Sequence, residues 1–248
     1  MSKETGVRTI VAGALLGAFF VTGCATQRPE VKSSGLDGLL LHYSFDKAKG
    51  EAVTDTSGSG HNGIFRGDID GACEFGNGVS IDTKPLVASQ AAFNELTLSA
   101  WIKTPEPTKD QLIVGRTTGK TACQTPGSFG LWLREGNPGF YFNDGFKDRR
   151  LSFATAIDKD KWYHLTAVLN KTGVVEGYVN GMRVFSSSES GFCSVPVLEC
   201  AFFRVGRWED GNQYAYSVTG LLDDVSIYRK ALTESQVKKM YEDQRVGK

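Results

Sequence analysis

One stretch near the carboxyl terminus combines side-chain types that are common in sugar-binding sites. Residues 206–212 read GRWEDGN, so an indole, a guanidinium group, carboxylates and an amide follow one another in a single loop. Sugar sites combine aromatic faces with a few precisely placed polar groups. The candidate ligand-binding residues are therefore Arg207, Trp208, Asp210 and Asn212. The alternative is that Trp208 packs in the interior, as most aromatic residues of a β-sheet protein do.

Further aromatic residues in the second half of the chain would extend such a surface: Trp132, Tyr141, Tyr178, Tyr214 and Tyr216. Trp132 fits either a surface or a core position. Trp101 and Trp162 lie in apolar runs and are predicted to be core residues. The charged cluster at 147–150 (KDRR) predicts a solvated hairpin edge, with contact to an anionic glycan as the alternative.

No arrangement typical of catalysis is present in the sequence. Glu209 and Asp210 are adjacent, so on a strand their side chains would face opposite ways. Asp158 and Asp160 fall in a polar turn, and His164 lies in an apolar strand as a hydrogen-bonded core histidine. Neither a Gly-x-Ser-x-Gly nucleophile motif nor a nucleotide-binding loop occurs. The sequence therefore predicts a protein that is not an enzyme.

The elements that must position these residues are predicted to be short strands. Apolar runs of four to eight residues alternate with turns rich in Gly, Asn and Asp, and Asn180-Gly181 is a strong hairpin signal. Only residues 234–242 read as a helix, with Thr233 and Gln236 placed as a capping box. This pattern predicts an all-β fold, a two-sheet antiparallel β-sandwich of the jelly-roll type with a short C-terminal helix.

Composition narrows the class of partner. Lys and Arg total 28 and Asp and Glu total 28, so the 248-residue chain has a formal net charge of zero. A neutral chain lacks the broad positive field with which proteins bind nucleic acid or an anionic membrane surface. We therefore expect no nucleic-acid partner, and contact with a membrane only through an anchor.

The amino terminus predicts such an anchor. A positive start is followed by a short apolar stretch at 10–21 that ends in Val21-Thr22-Gly23-Cys24. This ending resembles the lipobox of bacterial lipoproteins, which implies a lipid on Cys24. Residue Ala25 then implies sorting to the outer membrane of the cell envelope. We expect a signal peptide at 1–23, a polar tether at 24–37 and a folded domain at 38–245.

Four other cysteines remain, and an exported protein meets oxidising conditions in which they can pair. Four cysteines allow three pairings. Cys193 and Cys200 bracket a short loop and form the most economical pair, which leaves Cys73 with Cys123. Cys73 also alternates with Phe75 in a strand-like run, so a buried free thiol is the alternative for it. No spacing of Cys and His indicates zinc.

Eight segments of the chain, in order, resemble the LamG-like domains of the concanavalin A-like lectin/glucanase superfamily. They are LHYSFD (41–46), DTSGSGHNG (55–63), GACEFGNG (71–78), LTLSAWIKT (96–104), KWYHLTAVLN (161–170), GYVNG (177–181), RVGR (204–207) and GLLDDVSIYRKALTESQVKKMY (220–241). The resemblance covers about residues 39–242 and implies the jelly-roll fold predicted above. The Glu-x-Asp-x-x-Glu motif of the superfamily's laminarinase-type hydrolases is absent.

The resemblance also implies a structural calcium ion. In similar domains the ion lies where the first strand, the Gly-rich turn and the last strand meet, and the matching residues here are Asp46, Gly60, His61 and Asp223. Calcium takes about six to eight oxygen ligands, so backbone carbonyls of the turn would have to supply most of them. The alternative is that Asp46 and Asp55 cap tight turns, and we expect that role for Asp55.

These observations together predict a non-catalytic binding module for a polysaccharide or glycoconjugate, carried by a lipid-anchored lipoprotein. Many members of the resembling superfamily bind carbohydrates or proteins, and a fold does not by itself determine which. A module that binds an envelope or surface protein is therefore the alternative, and a glycoside hydrolase with an unfamiliar site is a further one.

Overall fold

Short strands joined by tight turns make up almost all of the chain that the computed structural model describes, which is residues 37–46, 52–65, 69–70, 72–75, 81–83, 92–117, 126–196, 201–210, 213–246 and 248. The described residues all belong to one unit, Val31–Lys248. Their strands are β1 Leu39–Tyr43, β2 Ala52–Val53, β3 Gly63–Phe65, β4 Ile69–Asp70, β5 Ala72–Phe75, β6 Ile81–Thr83, β7 Leu96–Lys103, β8 Gln111–Thr117, β9 Phe129–Arg134, β10 Asn137–Asn143, β11 Asp148–Ser152, β12 Tyr163–Leu169, β13 Val174–Val179, β14 Met182–Ser188, β15 Phe202–Val205, β16 Trp208–Asp210, β17 Gln213–Ala215 and β18 Gly220–Tyr228.

The strands form two large antiparallel sheets. Sheet A has the order β14-β13-β12-β7-β18-β5-β4, and β1 also pairs with β18. Sheet B has the order β11-β10-β9-β8-β15-β6-β3-β2, while β16 and β17 form a separate two-stranded ribbon. Neighbours in space are often far apart in sequence, as in a jelly roll. The predicted all-β sandwich is confirmed.

The core lies between the two sheets and follows from the two-residue period of strand side chains. On β7, Leu98, Ala100 and Ile102 are buried and face the interior. On β9, Leu131 and Leu133 do the same from the opposite sheet. The intervening residues of each strand therefore point to the outer face of their sheet, where any site must be built.

A single helix is present among the described residues, α1 at Glu234–Gln244, and it begins at the predicted capping box. The Thr233 side chain accepts from the Gln236 backbone N–H, and the Gln236 side chain accepts from the Thr233 N–H. Its buried residues Val237 and Met240 pack with side chains of sheet A that lie outside the sandwich core. The helix thus covers the outer face of sheet A. Within the described part of the chain, no helix is long and apolar enough to cross a membrane.

Candidate carbohydrate-binding groove

The outer face of sheet B carries a shallow groove, whose empty space of about 500 Å³ includes open solvent and whose enclosed part is about 70 Å³. Strands β8, β9, β10 and β11 form its floor, and Trp208 at the start of β16 forms one wall. The described lining residues are Asp110, Gln111, Leu112, Trp132, Arg134, Tyr141, Arg150, Trp208 and Tyr216.

Strand register brings the lining residues of the floor together. Trp132 on β9 lies opposite Leu112 on β8 and opposite Gly139 on β10. In the next row, Tyr141 lies opposite Arg150 on β11. Side chains directly opposite each other in an antiparallel pair lie within contact distance. Residues spread over 40 positions of sequence therefore form one continuous surface.

Two glycines in these rows let the indole rings lie flat against the sheet. A Cβ atom at position 139 would lie only 2.8 Å from Trp132 Nε1. At position 130, opposite Tyr141, a Cβ would lie 2.6 Å from a methyl carbon of Leu112 and 3.8 Å from the Trp208 ring. A larger residue at 139 would therefore clash with the Trp132 ring and with the Leu151 carbonyl, and one at 130 would displace Leu112. Gly139 of GFYF thus contacts the Trp132 ring directly, and Gly130 of FGLWL makes room for Leu112.

Three aromatic residues build the floor and wall. Trp208 is only 2% exposed and meets Tyr141 edge to face, with ring centroids 6.0 Å apart. The Tyr141 hydroxyl is held by the Ser128 hydroxyl at 3.0 Å. Trp132 is half-buried and packs against this pair, so its ring is the floor indole that a ligand can reach. The rings are fixed in place before any ligand arrives.

Tyr216 supplies the exposed rim of the groove. It is 42% exposed and has a positive φ of 57°, which turns the chain between β17 and β18. The Leu112 backbone N–H donates to the Tyr216 carbonyl at 2.8 Å and ties this turn to β8. Nearby, Gln111 is buried, and its amide donates to the Glu106 carbonyl while its oxygen accepts from the Thr219 N–H.

Two arginines lie over the aromatic rings. The Arg134 guanidinium is 5.7 Å from the centre of the Trp132 ring, and the Arg150 guanidinium is 5.9 Å from that of Tyr141. Arg134 also pairs with Asp110 at 3.3 Å, and Arg150 pairs with Asp148 at 3.1 Å. Both side chains remain nearly half exposed, so their charges are accessible from solvent at the edges of the aromatic floor.

The structure corrects part of the predicted ligand loop. Trp208 is not an exposed platform, because it is buried in the groove wall, and Trp208–Asp210 is a strand rather than a loop. Arg207 is half-buried and is not among the lining residues. The Asp210 side chain and all of Asn212 lie outside the described residues. The 147–150 cluster also divides, since Arg150 is exposed whereas Arg149 is buried and paired with Asp144 at 2.6 Å.

The Gly-rich turn at 55–62 is organised by Asp55, as predicted for a capping residue. Its carboxylate accepts from the backbone N–H groups of His42, Ser57 and His61. The His61 carbonyl accepts from the Tyr43 hydroxyl at 2.6 Å. The turn therefore directs N–H donors, rather than the carbonyl oxygens that calcium needs, toward its carboxylate.

The other predicted calcium ligands are also used differently. Asp46 is exposed at the end of the first strand. Asp223 is buried and forms an ion pair with Lys248, whose ammonium also lies 3.5 Å from Asp224. No group of three or more His, Cys, Asp or Glu side chains suited to a metal occurs in the described part of the chain. The residues as placed do not fit calcium, and calcium binding stays an untested prediction.

A polar layer lies between sheet A and the C-terminal helix. His164 bonds to the Ser99 hydroxyl at 2.8 Å, and His42 bonds to the Ser226 hydroxyl at 2.9 Å. Burial lowers the pKa of His42 to about 4 and that of His164 to about 3, so both are neutral at pH 7. Trp101 belongs to this layer, where it stacks on Tyr241 at 5.6 Å. It is buried as predicted, but beneath the helix rather than between the sheets.

The predicted cysteine chemistry falls mostly outside the described residues. Cys24, Cys123 and Cys200 lie there, and so does the side chain of Cys73. Cys193 is described as an exposed free thiol. The pairings Cys193–Cys200 and Cys73–Cys123, and the lipid on Cys24, stay predictions.

Fold and site together define a lectin-like β-sandwich with an open aromatic groove. The sequence profile of the Laminin_G_3 family, described as concanavalin A-like lectin/glucanases superfamily, matches residues 75–238. The chain belongs to this family, and the predicted resemblance is confirmed.

The relatives are much larger proteins, and this chain matches only a part of each of them. It is 26% identical over 170 residues to Adhesion G-protein coupled receptor V1 of Danio rerio, covering 66% of this chain and 3% of the relative. It is 25% identical over 160 residues to Paraclostridial mosquitocidal protein 1 of Paraclostridium bifermentans, covering 60% of this chain and 12% of the relative. The chain thus spans only a small share of these proteins' length.

Solved structures share the fold at low sequence identity. Domain 4 of AbnA, a GH43 extracellular arabinanase from Geobacillus stearothermophilus solved in complex with arabinotriose, superposes with a TM-score of 0.59 at 22% identity, covering 82% of this chain and 98% of that one. The botulinum neurotoxin serotype D ligand-binding domain, in complex with N-acetylneuraminic acid, gives a TM-score of 0.58 at 19% identity, covering 84% of this chain and 51% of that one. Both neighbours were solved with a saccharide bound.

Proposed function

We propose that this chain is a non-catalytic carbohydrate-binding module whose ligand site is the groove on the outer face of sheet B. The observation that carries the proposal is the pre-formed aromatic surface of Trp132, Tyr141, Trp208 and Tyr216, in which Trp132 and Tyr141 lie on adjacent strands opposite Gly139 and Gly130. Such a surface suits the flat apolar face of a pyranose or furanose ring, while polar groups at the rim suit its hydroxyls.

The polar groups of the groove favour binding over hydrolysis. Retaining hydrolysis needs two carboxyl groups about 5–5.5 Å apart, and inverting hydrolysis needs two about 6.5–9.5 Å apart. Among the described lining residues, Asp110 is the only carboxylate, and Arg134 holds it in an ion pair. The saccharides bound in the two neighbouring structures, arabinotriose and N-acetylneuraminic acid, support the same ligand class.

Binding of an envelope or surface protein is the second candidate function. It is favoured by the match to an adhesion receptor and by the fold shared with receptor-binding domains of toxins. The two candidates predict different ligand shapes, since a saccharide enters the groove whereas a protein would also cover the strands around it.

A glycan array probed with the full chain tests the proposal, with titration calorimetry on each hit and arabinotriose among the probes. Trp132→Ala is expected to weaken binding about tenfold or more, because stacking on an aromatic face is lost. Trp162→Ala is the matched control, since Trp162 is equally half-buried but lies beside sheet A. Absence of any hit, or equal loss in both variants, would remove the support for a sugar site in this groove.

We further propose that the module is presented on a membrane by a lipid on Cys24, at the bacterial outer membrane. Display of many copies on one surface converts weak single-site binding into avidity. Intact mass spectrometry of the protein purified from membranes measures the added lipid and, before and after reduction, the number of disulfides. A mature chain that starts elsewhere and carries no lipid would contradict this part.

A further inference from the structure

The exposed arginine side chains of the groove lie over its aromatic rings, and this arrangement restricts the class of ligand that the groove can bind. Arg134 lies above Trp132 and Arg150 above Tyr141, as cations on the faces on which a sugar would stack. A ligand that uses these rings must therefore displace or engage the guanidinium groups. A neutral sugar can replace a disrupted cation–π contact only with hydrogen bonds to its uncharged hydroxyls, whereas a carboxylate forms stronger charge-assisted bonds.

The hydrogen-bonding capacity of the groove is also one-sided. Its carboxylate, that of Asp110, is already held by Arg134, and the Gln111 oxygen already accepts from Thr219. A guanidinium carries five N–H donors and no acceptor, so an Arg–Asp pair such as Arg134–Asp110 remains rich in donors. Apart from the Tyr216 hydroxyl and the part of the Asp110 carboxylate that stays exposed, the reachable side-chain polar groups are the guanidinium donors of Arg134 and Arg150.

We propose that the groove selects acidic saccharides, with the sugar ring on Trp132 and its carboxylate between the guanidinium groups of Arg134 and Arg150. This inference rests on the proposed function and specifies its ligand. In the structure, Asp110 pairs with Arg134 and Asp148 pairs with Arg150 at the groove edge. A sugar carboxylate would replace these aspartates as the partner of the two arginines. Sites of this type combine apolar stacking with charge-assisted bonds that a neutral sugar cannot form.

Matched pairs of oligosaccharides that differ only at C6 test the inference directly. The probes are trigalacturonate with galactotriose, triglucuronate with cellotriose, and trimannuronate with mannotriose, titrated into the full chain by calorimetry. We expect at least one acidic member to bind about tenfold or more tightly than its neutral partner, and higher salt to weaken only the acidic one.

Arginine variants locate the effect. Arg134→Met and Arg150→Met are each expected to weaken acidic-ligand binding about tenfold and neutral-ligand binding much less, because only the acidic ligand loses a charge-assisted bond. Arg183→Met is the matched control, because Arg183 is 47% exposed and paired with Glu176 as Arg134 is with Asp110, but lies on sheet A. Thermal unfolding of each variant verifies that the fold is intact.

The outcomes separate the inference from the function on which it rests. Binding of a neutral glycan as tight as, or tighter than, that of every acidic probe overturns acidic selectivity and leaves the carbohydrate-binding module standing. Acidic binding that survives both arginine variants also overturns the inference. If no glycan of any charge binds, both the inference and the proposed function are wrong.

Discussion

The two outer faces of the sandwich carry similar residues, but one face is covered by the helix and the other is exposed. Sheet A presents Trp101, with Trp162 beside it, and sheet B presents Trp132, with Trp208 against it. Helix α1 covers the face of sheet A, where Tyr241 stacks on Trp101. The described residues place no helix on the groove of sheet B. Aromatic residues therefore stabilise the fold on one side and are available for a ligand on the other.

The polar groups follow the same division. On the covered side, buried histidines and hydroxyls hydrogen-bond to one another, as in the His164–Ser99–Thr166 chain, and Asp223 and Asp224 pair with Lys248. In the groove, arginines stay nearly half exposed at the rim. The buried polar layer beneath the helix makes the fold rigid. The exposed arginines of the groove remain accessible to a ligand.

Exchange of a tryptophan for alanine on each face gives the largest expected contrast. Trp101→Ala should lower the free energy of unfolding by about 3–5 kcal/mol, because it opens a cavity beneath the helix. Trp132→Ala should cost about 1 kcal/mol, since its ring is already half exposed. Urea unfolding measures both. An equal loss of unfolding free energy in the two variants would show that both tryptophans contribute equally to the stability of the fold.

Removal of the cation beneath the helix is the next largest effect. Lys248 contacts Asp223 and Asp224 with a side chain only 3% exposed. Lys248→Met should cost about 3 kcal/mol, because it withdraws the positive charge from two buried carboxylates. Lys239→Met is the control, as that lysine is 74% exposed and pairs with Asp243 on the helix surface. A loss no larger than the control's would contradict a buried ion pair.

Acid should loosen the covered face. The pKa of His42 and that of His164 are lowered from 6.5 in the folded chain, so the unfolded chain takes up protons first as pH falls. Stability from these two groups is complete above pH 6.5 and is lost as pH falls toward 4 for His42 and toward 3 for His164. Each histidine should contribute about 2 kcal/mol of this loss near pH 4.5.

Urea unfolding of the wild type and of His164→Gln, at about pH 7 and about pH 4.5, measures that loss. The variant lacks one titrating group, so its stability should fall less with acid than the wild type's. Identical pH dependence in the two proteins would show that His164 is not buried neutral beneath the helix.

The smallest expected effect concerns the helix cap. Thr233→Ala removes the side-chain oxygen that accepts from the Gln236 N–H and should cost about 1 kcal/mol. Thr233→Ser, which keeps the oxygen, should restore most of it. Hydrogen exchange should rise in α1 and in the strands beneath it, and leave β8 to β10 unchanged. Faster exchange in the groove strands would mean that the two faces are coupled.

Local patterns predicted the fold well. Alternating apolar residues, Asn180-Gly181 and the Thr233–Gln236 box each specify an element through contacts within a few residues, and each is found in the structure. The family resemblance rested on such segments in order and was confirmed. The groove was predicted only in part, because Trp208 was named for exposure in a loop and contributes instead as a buried wall.

The sequence by itself determined the β-sandwich and the helix start, because these depend on side-chain period and local hydrogen bonds. Only the tertiary structure decided which aromatic residues line the groove. Strand register set Trp132 beside Gly139 and Arg150 beside Tyr141, and the docking of α1 covered Trp101. Register and docking are settled by long-range packing, and local sequence carries no direct sign of it.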